Sequence, residues 1–426
     1  MLDRLEELRS FLFTHKLPLL LVLGVMILLA YLASRPIKKL GLPAILAYLL
    51  VGVILGPSVT GILGEELLRG MDFVIQGCLA FIAFKIGLEI DLKEVRRKGR
   101  GLAITTLSES FMAALLVGFG VWVVSGQLAM GLAMGALAPA SAPAGTVAVI
   151  EEYGARGKLT ELLYSVVGID DGLGIVLFGL ITPFAILSVG GEALSVEGGA
   201  GIFLHSLEEI LISIGLGLLF AWGLILVNKE RMDDLRVFLL SFAFILLLSG
   251  IAQLTGGSLI LANMLFGVGV GQWGTGRLRE LEEKDLGVVL PFFFLLFFTI
   301  AGANLHIEKM GEAGFLAAAY ILLRGLGLYL GAYVGTSISG FESKIRKNLG
   351  LGILSQAGVA IGLALIVQQK LKGLGPVISE GVTRGDLIGD TLFTTITVTS
   401  IFFEFFGPIL AKYGLKRAGE IEEHSA

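Results

Sequence analysis

Residues 159–182 read LTELLYSVVGIDDGLGIVLFGLIT, an apolar run interrupted at its middle by Asp170 and Asp171. At helical rise Asp170 lies roughly 17 Å from the start of this run, near the midplane of a hydrocarbon core about 30 Å thick. Carboxylates are most costly at that depth, and acids placed there face a protein interior or a wet cavity and mark ion or proton paths. The alternative is a structural pair neutralised by neighbouring helices, but one buried base needs only one acid.

The rest of the composition agrees with a membrane setting. Of 426 residues, 55% are hydrophobic and 16% charged, which excludes an ordinary soluble globular chain. The 60 glycines suit close helix packing. Cys78 is the single cysteine, so no disulfide framework or cysteine metal cluster is expected. His15, His205, His306 and His424 have no metal-ligand spacing, and no cofactor or nucleic-acid partner is expected. Leu2, Leu5, Leu8, Phe11 and Leu12 share one helical face, which predicts an interfacial helix over 1–16.

Apolar runs predict thirteen spans, at 17–34, 42–57, 74–90, 101–122, 128–150, 159–182, 201–227, 236–251, 257–272, 286–304, 313–337, 347–368 and 387–411. With the N-terminus outside, 22 of the 32 basic residues fall in inner segments and eight in outer ones. That asymmetry predicts a cytoplasmic C-terminus, with 412–426 as a short tail, in a multi-pass protein of the cell (inner) membrane.

The segment AILAYLLVGVILG from Ala44 matches LILANMLFGVGVG from Leu259, with identities at Ile45/Ile260, Leu46/Leu261, Ala47/Ala262, Leu50/Leu265, Gly52/Gly267, Val53/Val268 and Gly56/Gly271. The offset of 215 residues also pairs Gly87 with Gly302. Seven span steps separate the two segments, so the halves enter the membrane from opposite sides, as the inverted repeats of secondary transporters do. Each half also holds an interrupted span. GALAPASAPAGTVAVIEE is broken at Pro139, Pro143 and Gly145, and GLGILSQAGVAIGLALIV is softened by glycines, Gly358 among them, beside Ser355 and Gln356. Broken helices expose helix ends and free carbonyls that can serve an ion.

The other charges within spans are Lys85, Glu89, Glu109, Arg324, Asp390 and Glu404. Arg324 keeps its proton and needs an acid partner. The 215-residue offset carries Glu109 onto Arg324, so the two occupy equivalent sites that could face each other across a pseudo-two-fold axis. The expected pairing is therefore Arg324 with Glu109. The rival is Arg324 with Asp170, which leaves Asp171 as the exchanging carboxylate. Lys85 and Glu89 are spaced to satisfy each other, and no role is expected for Asp390 or Glu404.

Taken together, GLPAILAYLLVGVILGPS, FKIGLEIDL, LAPASAPAGTVAVIEEYGARGKLT, the Asp-Asp span and LSQAGVAIGLAL resemble the monovalent cation:proton antiporters of the NapA and Kef type. The resemblance implies an all-α polytopic fold with thirteen transmembrane helices, inverted repeats and two crossed broken helices, as in NhaA and NapA. It implies a homodimer, with dimerisation spans at about 17–57 and 201–272 and core spans at about 74–182 and 286–411. The family's ion-binding aspartate maps onto Asp171, its neighbour onto Asp170, and its membrane base onto Arg324. Three departures stand out. Ala144-Gly145-Thr146 replaces a Thr-Asp of many relatives, Lys85 occupies a position usually apolar or acidic, and the sequence ends at Ala426 without the nucleotide-binding domain of Kef systems.

The function expected is exchange of Na+ or Li+ for protons, with cation and proton competing for the same carboxylate oxygens of a coupled pair. Thr146, carbonyls and water would complete an oxygen shell for a hard cation. A K+/H+ antiporter or Kef-like potassium efflux system is the alternative. An intramembrane aspartyl protease using Asp171 and Asp390 is a remote one, because LIGD at Asp390 lacks the first glycine of that enzyme class's Gly-x-Gly-Asp signature.

Overall fold

Backbone N–H and C=O groups find no water in a bilayer, so each span must bond within itself, and the chain answers with helices. The computed structural model describes residues 18–39, 44–90, 92–189, 196–227, 234–274, 276–305, 310–356, 358–379 and 381–421. The interfacial helix expected over 1–16 lies outside the described residues.

Apart from a six-residue turn at Glu65–Gly70, the helices are α1 (Leu19–Lys39), α2 (Ala44–Leu55), α3 (Asp72–Glu89), α4 (Leu92–Ser125), α5 (Leu128–Leu137), α6 (Pro143–Glu152), α7 (Lys158–Val189), α8 (Val196–Val227), α9 (Asp234–Thr255), α10 (Leu259–Trp273), α11 (Gly276–Ala303), α12 (Met310–Ile338), α13 (Ser343–Gly352), α14 (Gly358–Leu371) and α15 (Arg384–Ala418). Seven of the described helices are long and apolar enough to cross a membrane unaided, and shorter apolar ones accompany them. Taking α5 with α6 and α13 with α14 as single broken helices gives an arrangement consistent with thirteen spans. α4 turns sharply at Gly99 (φ 71°) before its apolar stretch. A two-stranded antiparallel ribbon, β1 (Val377–Ser379) with β2 (Val382–Thr383), joins α14 to α15 and was not expected.

Both breaks fall where the sequence placed them. α5 and α13 start 215 residues apart, and so do α6 and α14. The halves also touch reciprocally. Gly52 on α2 lies against Thr299 and Ala303 of α11, while Gly267 on α10 lies against Phe84 and Leu88 of α3, each residue offset by 215 from its counterpart. Gly87 against Met264 and Gly302 against Leu49 repeat the pattern. Such exchange of contacts is the signature of a two-fold relation.

These four glycines let backbones meet directly. A Cβ on Gly52 would stand 2.8 Å from the Ala303 nitrogen, and one on Gly267 would stand 2.9 Å from that of Leu88. Gly52→Ala and Gly267→Ala should therefore each destabilise the fold by about 1–3 kcal/mol. Gly24→Ala, where nothing lies within 4 Å, should be neutral. Thermal unfolding in detergent checks all three.

α4 to α7 pack with α12 to α15, and α1 to α3 pack with α8 to α11. The packing of α3 on α10 and of α11 on α2 assigns 74–90 and 286–304 to the second group, not to the core in which the sequence reading set them. Close backbone approach at the four glycines is the physical reason. The expected tail from 412 is also revised: α15 continues to Ala418 and ends at Gly419 (φ 78°).

Candidate functional site

The two broken helices cross at their non-helical segments, 138–142 and 353–356. Helix ends leave carbonyls and amides without intrahelical partners, and here they serve one another and a few buried side chains. Ala142 N donates to the Ser355 carbonyl at 2.9 Å. Thr146, one turn into α6, donates its hydroxyl to the Gly352 carbonyl at 2.6 Å and is fully buried. Pro139 lies within the first break and is buried, and Pro143 opens α6, its ring lying outside the described residues. At Gly145 a Cβ would meet Ser355 Oγ at 2.8 Å, and at Gly358 it would meet the Phe298 ring at 2.6 Å, so both glycines permit the crossing.

Arg324, buried on α12, fills the crossing. Its Nε donates to Ala138 O at 2.9 Å, Nη1 to Leu354 O at 2.8 Å and Nη2 to Ala140 O at 2.9 Å. The guanidinium also lies 4.5 Å from the centre of the Phe403 ring on α15. Gln356, equally buried, donates to Tyr320 Oη at 3.0 Å and more weakly to the Leu137 and Ala140 carbonyls. One cation thus bonds to carbonyls freed by both breaks.

Asp170 on α7 is fully buried, and its Oδ2 accepts from Ser141 Oγ at 3.3 Å. Its carboxyl faces that of Glu109 on α4, which in turn accepts from Ser110 Oγ at 2.8 Å. Two carboxyls bond only through a proton, because ionised carboxylates are acceptors alone. Asp170 Oδ1 and Glu109 Oε2 have no protein donor, consistent with a proton held between the two acids. Both acids lie within electrostatic reach of Arg324. A guanidinium with a singly protonated acid pair is neutral overall, which is what a low-dielectric interior tolerates.

Neither pairing read from the sequence is a direct ion pair here. All three hydrogen bonds that Arg324 makes go to main-chain carbonyls, because both breaks deliver unpaired C=O groups to the fork of the guanidinium before either acid reaches it. Asp171 follows Asp170 in α7, and its side chain lies outside the described residues. Helical spacing puts position 171 on the same face as Phe178 and Thr182, and Gly172 next to it faces Ile90 and Met264. Toward the far end of α7 that face lines a cavity of about 340 Å³ between the two helix groups. Gln76, Gln253, Gln369 and Glu209 share it with Thr182, whose hydroxyl is buried without a partner.

Ser141 and Tyr320 also belong to the site, although no sequence motif singles them out. Ser141 had a signal, since it lies 215 residues before Gln356 and so occupies the equivalent place in the other break. Tyr320 had none beyond lying one turn before Arg324. Asp390, the second aspartate of the protease alternative, accepts from Gln368 at 2.8 Å near the end of α14. Lys85 is half-buried in α3, and the Glu89 side chain is outside the described residues.

Residues 24–412 match the family described as sodium/hydrogen exchanger, transmembrane. The chain belongs to the sodium/hydrogen exchanger family. Among its relatives, the Na(+)/H(+)-K(+) antiporter GerN of Bacillus cereus is 25% identical over 92% of this chain and 95% of that protein. The Na(+)/H(+) antiporter of Enterococcus hirae is 22% identical over 93% and 98%. The fold matches that of the sodium proton antiporter MjNhaP1 from Methanocaldococcus jannaschii, with a TM-score of 0.73 and 21% identity over 94% of this chain and 99% of that one. As a sodium/hydrogen exchanger family member it is a multi-pass membrane protein with the antiporter fold.

Proposed function

We propose that this exchanger family member trades a monovalent cation, Na+ or Li+, for protons at Asp171 and Asp170. One observation carries the reading: the buried carboxyls of Asp170 and Glu109 face each other within electrostatic reach of Arg324, at the crossing of two broken helices. With one proton between the two acids that cluster is neutral, which leaves Asp171 as the carboxylate whose charge must be met from outside, by a cation or by a proton. Thr146 is a candidate cation ligand, since its oxygen still has lone pairs after its proton goes to Gly352.

The cavity supports an access route. It is bounded by both helix groups and runs along the face of α7 that carries position 171. Under the orientation expected from the basic residues, it opens on the outer side. Sliding of α4–α7 and α12–α15 against the other group would expose the site to the opposite side. The homodimer, formed through the spans of the second group, belongs to the same proposal, as does the inner cell membrane as its location.

A second cation has an observation in its favour, because GerN is named for K+ as well as Na+. Proteoliposomes carrying a proton gradient and a pH-sensitive dye decide between them. Addition of Na+ or Li+ is expected to collapse the gradient. A larger response to K+ would favour potassium, and no response to any of the three would overturn the reading.

A further inference from the structure

At the end of α7 opposite the cavity, the first helical amides have no intrahelical partner and must be capped. The cap comes from the other end of the chain. Glu420 accepts from Leu159 N at 2.8 Å through Oε1, and from Thr160 N and Thr160 Oγ1, both at 2.7 Å, through Oε2. Its own carbonyl accepts from Arg156 N at 3.1 Å. The chain reaches this position through the left-handed turn at Gly419, and residue 157 is glycine with its Cα against the Glu420 carboxyl, where no Cβ would fit. Nearby, Lys412 donates to Tyr153 Oη at 2.8 Å and lies over its ring. Lys158 is paired with Glu342.

We infer that Glu420 is a positioning residue for ion exchange: it clasps the N-terminus of α7 and so fixes the depth and rotation at which that helix presents Asp170 and Asp171. The two aspartates lie only about 16–18 Å along the same rigid helix from the clasp. Asp170 must meet both Ser141, in the break between α5 and α6, and Glu109, on α4, so an axial slip or rotation of α7 breaks both contacts at once. A carboxylate at a helix N-terminus also opposes the positive end of the helix dipole, which strengthens the hold. α15 thereby connects the crossing, through Phe403 on Arg324, to the start of the helix that carries the aspartates. The inference rests on the exchange reading given above.

The test uses the full chain in proteoliposomes together with amide hydrogen exchange. Glu420→Ala is expected to deprotect the amides of 159 and 160 and to raise the KM for Na+ by about fivefold, the scale set by loss of a helix cap. Glu420→Gln, which keeps one acceptor oxygen, should recover part of both effects. Thr160→Val removes one of the three bonds and serves as the mild variant if Glu420→Ala folds poorly. Glu420→Ala combined with Gly157→Ala should do no more than the stronger single variant, since both act through one contact. Unchanged protection at 159–160 would overturn the clasp, and so would a lowered melting temperature with KM and pH profile unmoved. If Asp171→Asn exchanges normally while Glu420→Ala still deprotects these amides, the exchange reading fails and the clasp stands as structure alone.

Discussion

Asp171→Asn is expected to abolish cation-dependent proton movement, whereas Asp170→Asn is expected to keep it in altered form. The contrast follows from what each carboxyl does. Asparagine at 170 can donate its amide proton to Glu109, so the two side chains stay joined with Glu109 ionised. Arg324 is then still balanced one for one. Exchange should persist with one titrating proton fewer, read as a change in the proton-to-cation ratio. At 171 no such substitute exists, because the amide supplies neither the charge that offsets the cation nor a site for the proton. Removing a charged ligand worth about 3 kcal/mol lowers affinity by roughly two orders of magnitude. In the wild type, protons and cation compete, so the apparent KM for Na+ should rise as pH falls. That slope should flatten in Asp170→Asn. Dye-based exchange in proteoliposomes over a range of pH measures both. Normal exchange by Asp171→Asn would remove that residue from the site.

Much of this was legible in residue order. Prolines and glycines within apolar runs mark both breaks, and the matched glycines Gly52, Gly267, Gly87 and Gly302 prove to be the contacts that relate the halves. Such features are readable because they are local or repeated: a proline, a glycine or an acid within an apolar run states its own cost. What residue order did not carry is which donor meets which acceptor. Glu109 and Arg324 occupy equivalent positions, yet equivalence does not say that they bond. The breaks themselves supply Ala138, Ala140 and Leu354 carbonyls, and main-chain acceptors leave no trace in composition. Glu420 was invisible for a related reason, since its partners are backbone amides 260 and more residues earlier in the chain.

Substitution of Arg324 should cost the protein its fold before it costs the protein its transport. Three carbonyls at the crossing have the guanidinium as their donor, and Phe403 covers its face. Arg324→Met keeps the volume but strips the Ala138 and Leu354 carbonyls of the donor that the guanidinium supplies, leaves Ala140 with only its weak bond from Gln356, and leaves the charge of the Glu109–Asp170 pair unmatched. Breaking a buried charge arrangement from one side costs about 3–5 kcal/mol, and each buried acceptor left unpaired costs about 1–3 kcal/mol more. A large fall in melting temperature and in yield is expected. Arg324→Lys keeps the charge, but its compact ammonium cannot span three carbonyls held in the plane of a fork, so it should fall between the two. Arg324→Met combined with Glu109→Gln separates charge from geometry. Cancelling the unmatched charge should restore only part of the loss, with the orphaned carbonyls accounting for the remainder. A double variant as stable as the wild type would show that the bonds to the broken helices contribute little, and that Arg324 is retained for its charge alone.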